Sequence, residues 1–310
     1  MTQIKVLSVN ISEKKGTVKH PVNSIELNSY GVKNDAHSGS WHRQVSLLGI
    51  ESFDKFSKEA NRKITFGEFA ENITTKGFEL FKMSPLDILK GEKATLMVTQ
   101  IGKKCHGDNC AIFKEVGNCV MPKEGIFAKV ISGGTLTADD TFNYIPRKFS
   151  FDIITLSDRA SKGEYKDLSG PEIERMIVDN YSKSNRKLDI NRTIIPDEAN
   201  LLSQNITNLI NSGSDVIITT GGTGIAQRDI TPEVIKPMLD KEIPGIMEFI
   251  RVKYGATIPS ALLSRSVAGT IDKTLVLALP GSVKAVKEYM SEILPLIDHI
   301  VYSLNGLERH

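Results

Sequence analysis

The chain has 310 residues, 40% of them hydrophobic, which is enough for two ordinary domains with their own cores. Its net charge of +2 gives no support to a nucleic-acid or anionic-membrane partner. No apolar run is long enough to span a membrane and the N-terminus lacks the apolar stretch of a signal peptide, so a cytoplasmic protein is expected.

Short apolar runs at residues 4–9, 45–48, 94–99 and 127–131 are separated by turns rich in Gly, Asn, Asp and Lys, and helical stripes are scarce. This spacing predicts a mostly β domain over 1–147, a barrel or sandwich with a few short helices. Within it, Cys105, Cys110 and Cys119 cluster around His106. An odd, clustered set without an export signal argues against a disulfide framework. A closed zinc site needs four ligands at accustomed spacings, which Cys119 and His106 do not supply, so buried reduced thiols are the plainer reading.

A composition break near Pro146 to Lys148 ends this domain. Strand-like runs then follow at residues 151–156, 188–195, 215–220 and 274–279. Between them lie helical stripes, Leu202, Ile206, Leu209 and Ile210 first, and later Val286, Tyr289, Met290, Ile293, Ile297, Ile300 and Leu304. Both stripes read as core contacts. The alternation predicts an α/β domain over 148–310 with a largely parallel sheet between helices, whose ligands would bind beyond the strands' carboxyl ends.

The strongest signal in that domain is Val216-Ile-Ile-Thr-Thr-Gly-Gly-Thr-Gly-Ile-Ala-Gln-Arg-Asp-Ile-Thr-Pro-Glu233. A strand breaks into a loop at Gly221, Gly222 and Gly224, and a helix restarts near Thr231, placed to N-cap, with Pro232 at the first helical position. Such a loop can aim backbone N–H groups at an anion, and Thr223, Arg228 and Asp229 could contact a phosphate or a divalent ion. It is neither a Walker loop nor a GxGxxG fingerprint. The loops after the other strands add Ser157 and Asp158, a helix capped by Ser169, Asp197, and Pro280-Gly-Ser282 with Ser282 placed to cap the last helix.

Ser157-Asp-Arg, Asp167-x-Ser-Gly170, Pro196-Asp197, Gly-Gly-Thr-Gly224, Arg228-Asp229-x-Thr-Pro232, Glu242-x-Pro-Gly245, Ser264-Arg265 and Leu279-Pro-Gly-Ser282 stand in an order that resembles the molybdopterin-binding family of MogA/MoaB-type adenylyltransferases. The resemblance spans residue 149 to about 305. It implies adenylyl transfer from Mg-ATP to molybdopterin, with Asp197 and Asp229 as essential, magnesium-holding carboxylates and Glu242 assisting metal or nucleotide. Gly221 to Gly224 would hold phosphate or pterin edges, and Arg228 and Arg265 are further phosphate candidates. A homotrimer is implied by the same resemblance.

In the first domain, Gly31-Val-Lys-Asn-Asp-Ala-His-Ser-Gly39, Arg43-Gln-Val-Ser-Leu47, Gly67-Glu-Phe-Ala-Glu-Asn-Ile-Thr-Thr75 and Gly117-Asn-Cys-Val-Met-Pro-Lys-Glu-Gly-Ile-Phe-Ala128 resemble the MOSC family, the C-terminal domain of molybdenum cofactor sulfurases. Asn34 and Ala138 depart from its usual pattern, where glycine is common. The resemblance implies molybdenum cofactor binding or sulfur handling, with one thiolate carrying sulfur or ligating molybdenum. Cys110 matches that thiolate best, then Cys105, then Cys119, and Asp35, His37 and Arg43 would line the same pocket.

Together these features predict a two-domain protein of molybdenum cofactor biosynthesis, whose product would pass to a molybdenum insertion protein. Two rivals belong to other classes: a non-catalytic molybdopterin-binding or sensing protein, and a MOSC domain acting as a molybdenum redox module.

Overall fold

The computed structural model describes residues 2–104 and 120–307 and divides the chain into two compact units, with the break between Arg147 and Lys148. The first contains β1 (Thr2–Ile11), β2 (His20–Val22), β3 (Ser24–Asn28), β4 (Gly31–Val32), β5 (Val45–Gly49), β6 (Ile73–Lys76), β7 (Ile88–Gly91), β8 (Thr95–Ile101), β9 (Ile126–Ser132), β10 (Gly134–Thr137) and β11 (Thr141–Ile145). The order β11-β7-β8-β9-β5-β6-β1 closes on itself through β1 and β11, so the sheet is a barrel, with β2 added beside β1. A side sheet has the order β10-β3-β4.

Alternation along the strands fills the barrel. Val45 and Leu47 of β5 join Ile4, Val6, Leu96 and Val98 in its core. Leu48, one residue out of phase, packs outside it with Phe53, Phe56 and Phe69 beneath the Ile50–Ala60 helix. That helix lies in the connection between β5 and β6, the barrel's one parallel pair among the described strands. The apolar runs correctly marked β1, β5, β8 and β9. Strands such as β2, β3 and β11, short and half polar, gave no comparable signal.

The second unit is a three-layer α/β domain built on β12 (Lys148–Leu156), β13 (Lys187–Ile195), β14 (Val216–Thr220), β15 (Lys241–Glu242), β16 (Val267–Ile271) and β17 (Thr274–Leu279). The sheet order is β13-β12-β14-β17-β16-β15. The first four strands are parallel, and β16 and β15 extend the edge antiparallel. Leu202, Ile206 and Ile235 cover one face against Ile154, Ile217 and Val276. On the other face the Ser169–Tyr181 helix packs on the Val283–Leu304 helix, and Phe149 and Phe151 meet Tyr181. Burial on both faces explains why β14 and β17 read as unbroken apolar runs.

Two expected caps are corrected. Ser169 lies inside its helix, and the Asp167 carboxylate accepts from the N–H groups of Ser169 and Gly170 instead, at 3.0 and 3.1 Å. Thr231 makes no cap either: its hydroxyl donates to Gly221 O at 2.8 Å, tying the helix start to the glycine loop. Ser282 does cap the last helix, accepting from Ala285 N at 3.3 Å. Among the described residues no helix is long and apolar enough to cross a membrane.

Candidate functional sites

The order of the four parallel strands reverses between β12 and β14, and a crevice opens at such a point beyond the strands' carboxyl ends. The glycine loop sits there because nothing larger would fit. Gly221 has φ +110°, and a Cβ on it would lie 2.4 Å from Leu156 O at the end of β12. Gly222 has φ +63°, and its Cβ would meet the Thr231 hydroxyl at 2.5 Å. The loop is stitched to its neighbours by Gly221 N to Leu279 O at 3.0 Å and Thr220 Oγ1 to Pro280 O at 2.9 Å.

Three half-buried carboxylates gather beside it. Asp158 N donates to Asp197 Oδ2 at 3.0 Å and Asp197 N donates to Asp158 Oδ1 at 3.1 Å, a reciprocal clasp between the ends of β12 and β13. Arg228 reaches from the glycine loop to Asp158 Oδ2. Asp229 Oδ2 accepts from Ala226 N at 2.8 Å. Burial, then the charges of Asp158 and Asp229, raises Asp197 above the usual carboxylate range. The Arg228 hydrogen bond holds Asp158 below it. Repulsion among these acids is the condition a cation would relieve.

The other predicted residues divide. Ser157 accepts from Ala160 N at 3.1 Å and lines a cavity of ≈ 420 Å³ with Arg159, Tyr165, Asp167, Gly281 and Ser282. Thr223, Gly224, Pro280 and Ser282 line a second cavity of ≈ 400 Å³. Arg265 is a strut: its guanidinium donates to Gly224 O and Asp229 O, each at 2.7 Å, and pairs with Glu233, which takes it out of the set of open phosphate ligands. Glu242 lies elsewhere in the sheet. It sits on β15, in register with Gly269, Val276 and Ile217 at mid-sheet, on the opposite edge from β13. There it lines a third cavity, of ≈ 660 Å³, 3.5 Å from Lys236 Nζ. Asp197 follows β13, on the other edge of the sheet from Glu242.

The barrel has its own site, a cavity of ≈ 110 Å³ lined by His37, Trp41, Arg43, Asn72, Lys103 and Phe127 among others. The Arg43 guanidinium lies 4.7 Å from the Trp41 ring centroid and 5.7 Å from that of Phe127, and its buried Nε has no hydrogen-bond partner among the described residues. Asp35 is not in the wall. It is buried with Lys19, both side chains fully shielded, and accepts from the N–H groups of Ser12 and His37 at 3.0 Å. Burial pushes Asp35 upward, but hydrogen bonds from His37 and Lys19 outweigh it and hold the carboxyl well below its ordinary range. Burial pulls the Lys19 ammonium down. Lys19, a lysine in a polar stretch, carries no sequence signal for this role. Cys110, Cys105 and Cys119 lie outside the described residues, and His106 with them.

Residues 152–299 match the family described as "Probable molybdopterin binding domain", and residues 34–143 match the MOSC domain. The second unit is similar to the molybdopterin adenylyltransferase of Helicobacter pylori J99, 37% identical over 50% of this chain and 86% of that protein. The Pyrococcus furiosus protein of the same name is 39% identical over 50% of this chain and 91% of its own length. Gephyrin from Dictyostelium discoideum is 41% identical, and there the match spans 50% of this chain and only 22% of the relative.

Proposed function

The chain belongs to the molybdopterin-binding family of MogA/MoaB type, and from that premise we propose that its second unit transfers the adenylyl group of Mg-ATP to molybdopterin. An oxygen of the molybdopterin phosphate attacks the α-phosphorus of ATP, the bond from that phosphorus to the β-phosphate oxygen breaks, and pyrophosphate leaves. The carrying observation is the convergence of Asp158, Asp197 and Asp229 with the glycine loop at the β12/β14 crevice.

The chemistry needs positioning and charge neutralisation rather than a protein nucleophile. Among the described residues no group of three His, Cys, Asp or Glu side chains is arranged to enclose a metal. That suits magnesium, which is often held by one or two carboxylates plus substrate phosphates. Asp197 and Asp229 each commit Oδ2 to a backbone N–H, and the second oxygen of each would serve the ion. Bound there, magnesium would offset the charge of the phosphates, while the loop N–H groups orient them.

The test is pyrophosphate release by the full chain from Mg-ATP, with and without molybdopterin. Asp229→Asn should keep the loop hydrogen bond yet lower the rate about 10²-fold or more. Tight molybdopterin binding with no pyrophosphate release would replace the transferase by a carrier or sensor.

For the barrel we propose binding of an anionic part of the molybdenum cofactor. Among the described residues, His37, Arg43 and Lys103 bring basic groups to one small cavity with no carboxylate in its wall. Cys110 would supply the thiolate. A trimeric assembly and transfer of product to a molybdenum insertion protein belong to the same proposal.

A further inference from the structure

We propose that Arg265 is the positioning residue for the Asp229 carboxylate and that, through this carboxylate, it sets the chain's affinity for magnesium, an inference that rests on the adenylyl-transfer reading. Arg265 stands just before β16, outside the glycine loop that it holds. Its backbone N–H donates to Thr223 O at 2.9 Å. Its guanidinium donates from Nε to Gly224 O and from Nη2 to Asp229 O, each at 2.7 Å, while Nη1 pairs with Glu233 in the first turn of the next helix. A planar fork can meet three fixed acceptors in this way, and the point charge of an ammonium cannot.

The two residues held by the side chain are the two that seat the carboxylate. Asp229 Oδ2 accepts from Ala226 N at 2.8 Å, and the same oxygen packs so closely on Gly224 that a Cβ there would lie 2.6 Å from it. Arg265 grips the main-chain carbonyls of Gly224 and Asp229, so the carboxylate and its seat are fixed together. Between them residues 225–228 are exposed, Ile225 at 72%, and core packing contributes little to their placement. A segment of this kind takes its shape from a few hydrogen bonds, and losing them loosens it locally without unfolding the sheet.

Magnesium is the ion most sensitive to such loosening. It demands near-octahedral ligand placement at about 2.0–2.1 Å, so a carboxylate free to swing binds it less well. Groups that orient a metal's ligand typically contribute about ten- to hundred-fold to its affinity. The ion pair with Glu233 is largely open to water and adds little of this. The two carbonyl bonds carry the effect.

The experiment uses the full chain, with Mn²⁺ as the probe of the magnesium position. Mn²⁺ is titrated by its effect on water-proton relaxation, and pyrophosphate release is measured in parallel across a range of free Mg²⁺. Arg265→Met should raise the Mn²⁺ Kd and the Mg²⁺ needed for half-maximal rate about ten-fold or more, with the KM for molybdopterin and the Tm unchanged. Arg265→Lys should recover only part of the loss, since it keeps the charge and not the fork. Asp229→Asn should weaken the Mn²⁺ site by itself, and adding Arg265→Met to it should bring no further loss. Glu233→Gln, which spares both carbonyl bonds, should leave the Mn²⁺ Kd within about two-fold. An unchanged Mn²⁺ Kd in Arg265→Met, or an equal loss in Glu233→Gln, would overturn the assignment. A wild-type chain with an Asp229-dependent Mn²⁺ site and no pyrophosphate release would overturn the adenylyl-transfer reading alone.

Discussion

Asp35 in the barrel and Asp158 in the α/β unit are each paired with a basic side chain, Lys19 and Arg228, and both are held below the ordinary carboxylate range. Their surroundings differ completely. Lys19 and Asp35 are shielded from water, whereas the Arg228 side chain is 62% exposed and that of Asp158 37%. The buried pair is committed to its partners and braces the strand and loop behind the barrel cavity. The exposed pair can exchange partners, as a site that must admit phosphates and an ion requires. The same two kinds of charge thus act as framework in one unit and as adjustable ligands in the other, and depth alone makes the difference.

The sharpest way to break this contrast is Lys19→Met, which leaves Asp35 buried without its cation. The barrel should lose about 3–5 kcal/mol. Trp41 is the chain's one tryptophan and lies in the barrel, so its fluorescence during urea unfolding reports on that unit alone. A loss below 1 kcal/mol would mean that the pair does not carry the framework.

Glu71 tests the role of depth next. It is fully buried, and burial pushes its carboxyl up to about 7 from an ordinary 4.5. Between these values the folded barrel keeps the proton that the unfolded chain has released. Stability contributed by the protonated form is therefore full below pH 4.5, falls by about 1.4 kcal/mol per pH unit as pH rises toward 7, and levels above it. Glu71→Gln should flatten that slope when Trp41 unfolding is followed across pH 4–8. A slope that survives the substitution assigns it to another group.

The smallest expected effect is at the exposed pair. Arg228→Gln should leave the urea midpoint of the second unit, followed by circular dichroism, where it was. Its consequence should appear in catalysis, as a higher KM for ATP. A clear drop in the midpoint would make Arg228 part of the framework after all.

How legible these sites were follows from the same contrast. The four parallel strands, the glycine loop and the stripe of the last helix announce themselves because burial on both faces demands long apolar runs and close approach demands glycine. The antiparallel β15 and β16 went unread: one has two residues, and the other, Val267-Ala-Gly-Thr-Ile271, holds a glycine where Leu239 and the β15 backbone press in. Ser169 and Thr231 look like caps by type, but Asp167 and the glycine-loop carbonyl compete for the same hydrogen bonds. Glu242 was grouped with the aspartates because linear order carries no information on which sheet edge a strand joins. Lys19 was invisible for a related reason: an unusual burial partner is a property of three dimensions.

The closure of the barrel has a consequence for biogenesis. Thr2–Lys5 of β1 pair with Thr141–Tyr144 of β11, so the two ends of the unit complete the ring. A ribosome making this chain has synthesised almost the whole unit before that pairing is available, and the first strand of the next unit begins three residues after Ile145. Contacts of such sequence separation form slowly. The nascent barrel therefore stands open, its edge strands unpaired, while the apolar β12 emerges. That interval is when chaperone engagement or pairing between neighbouring nascent chains has its greatest opportunity.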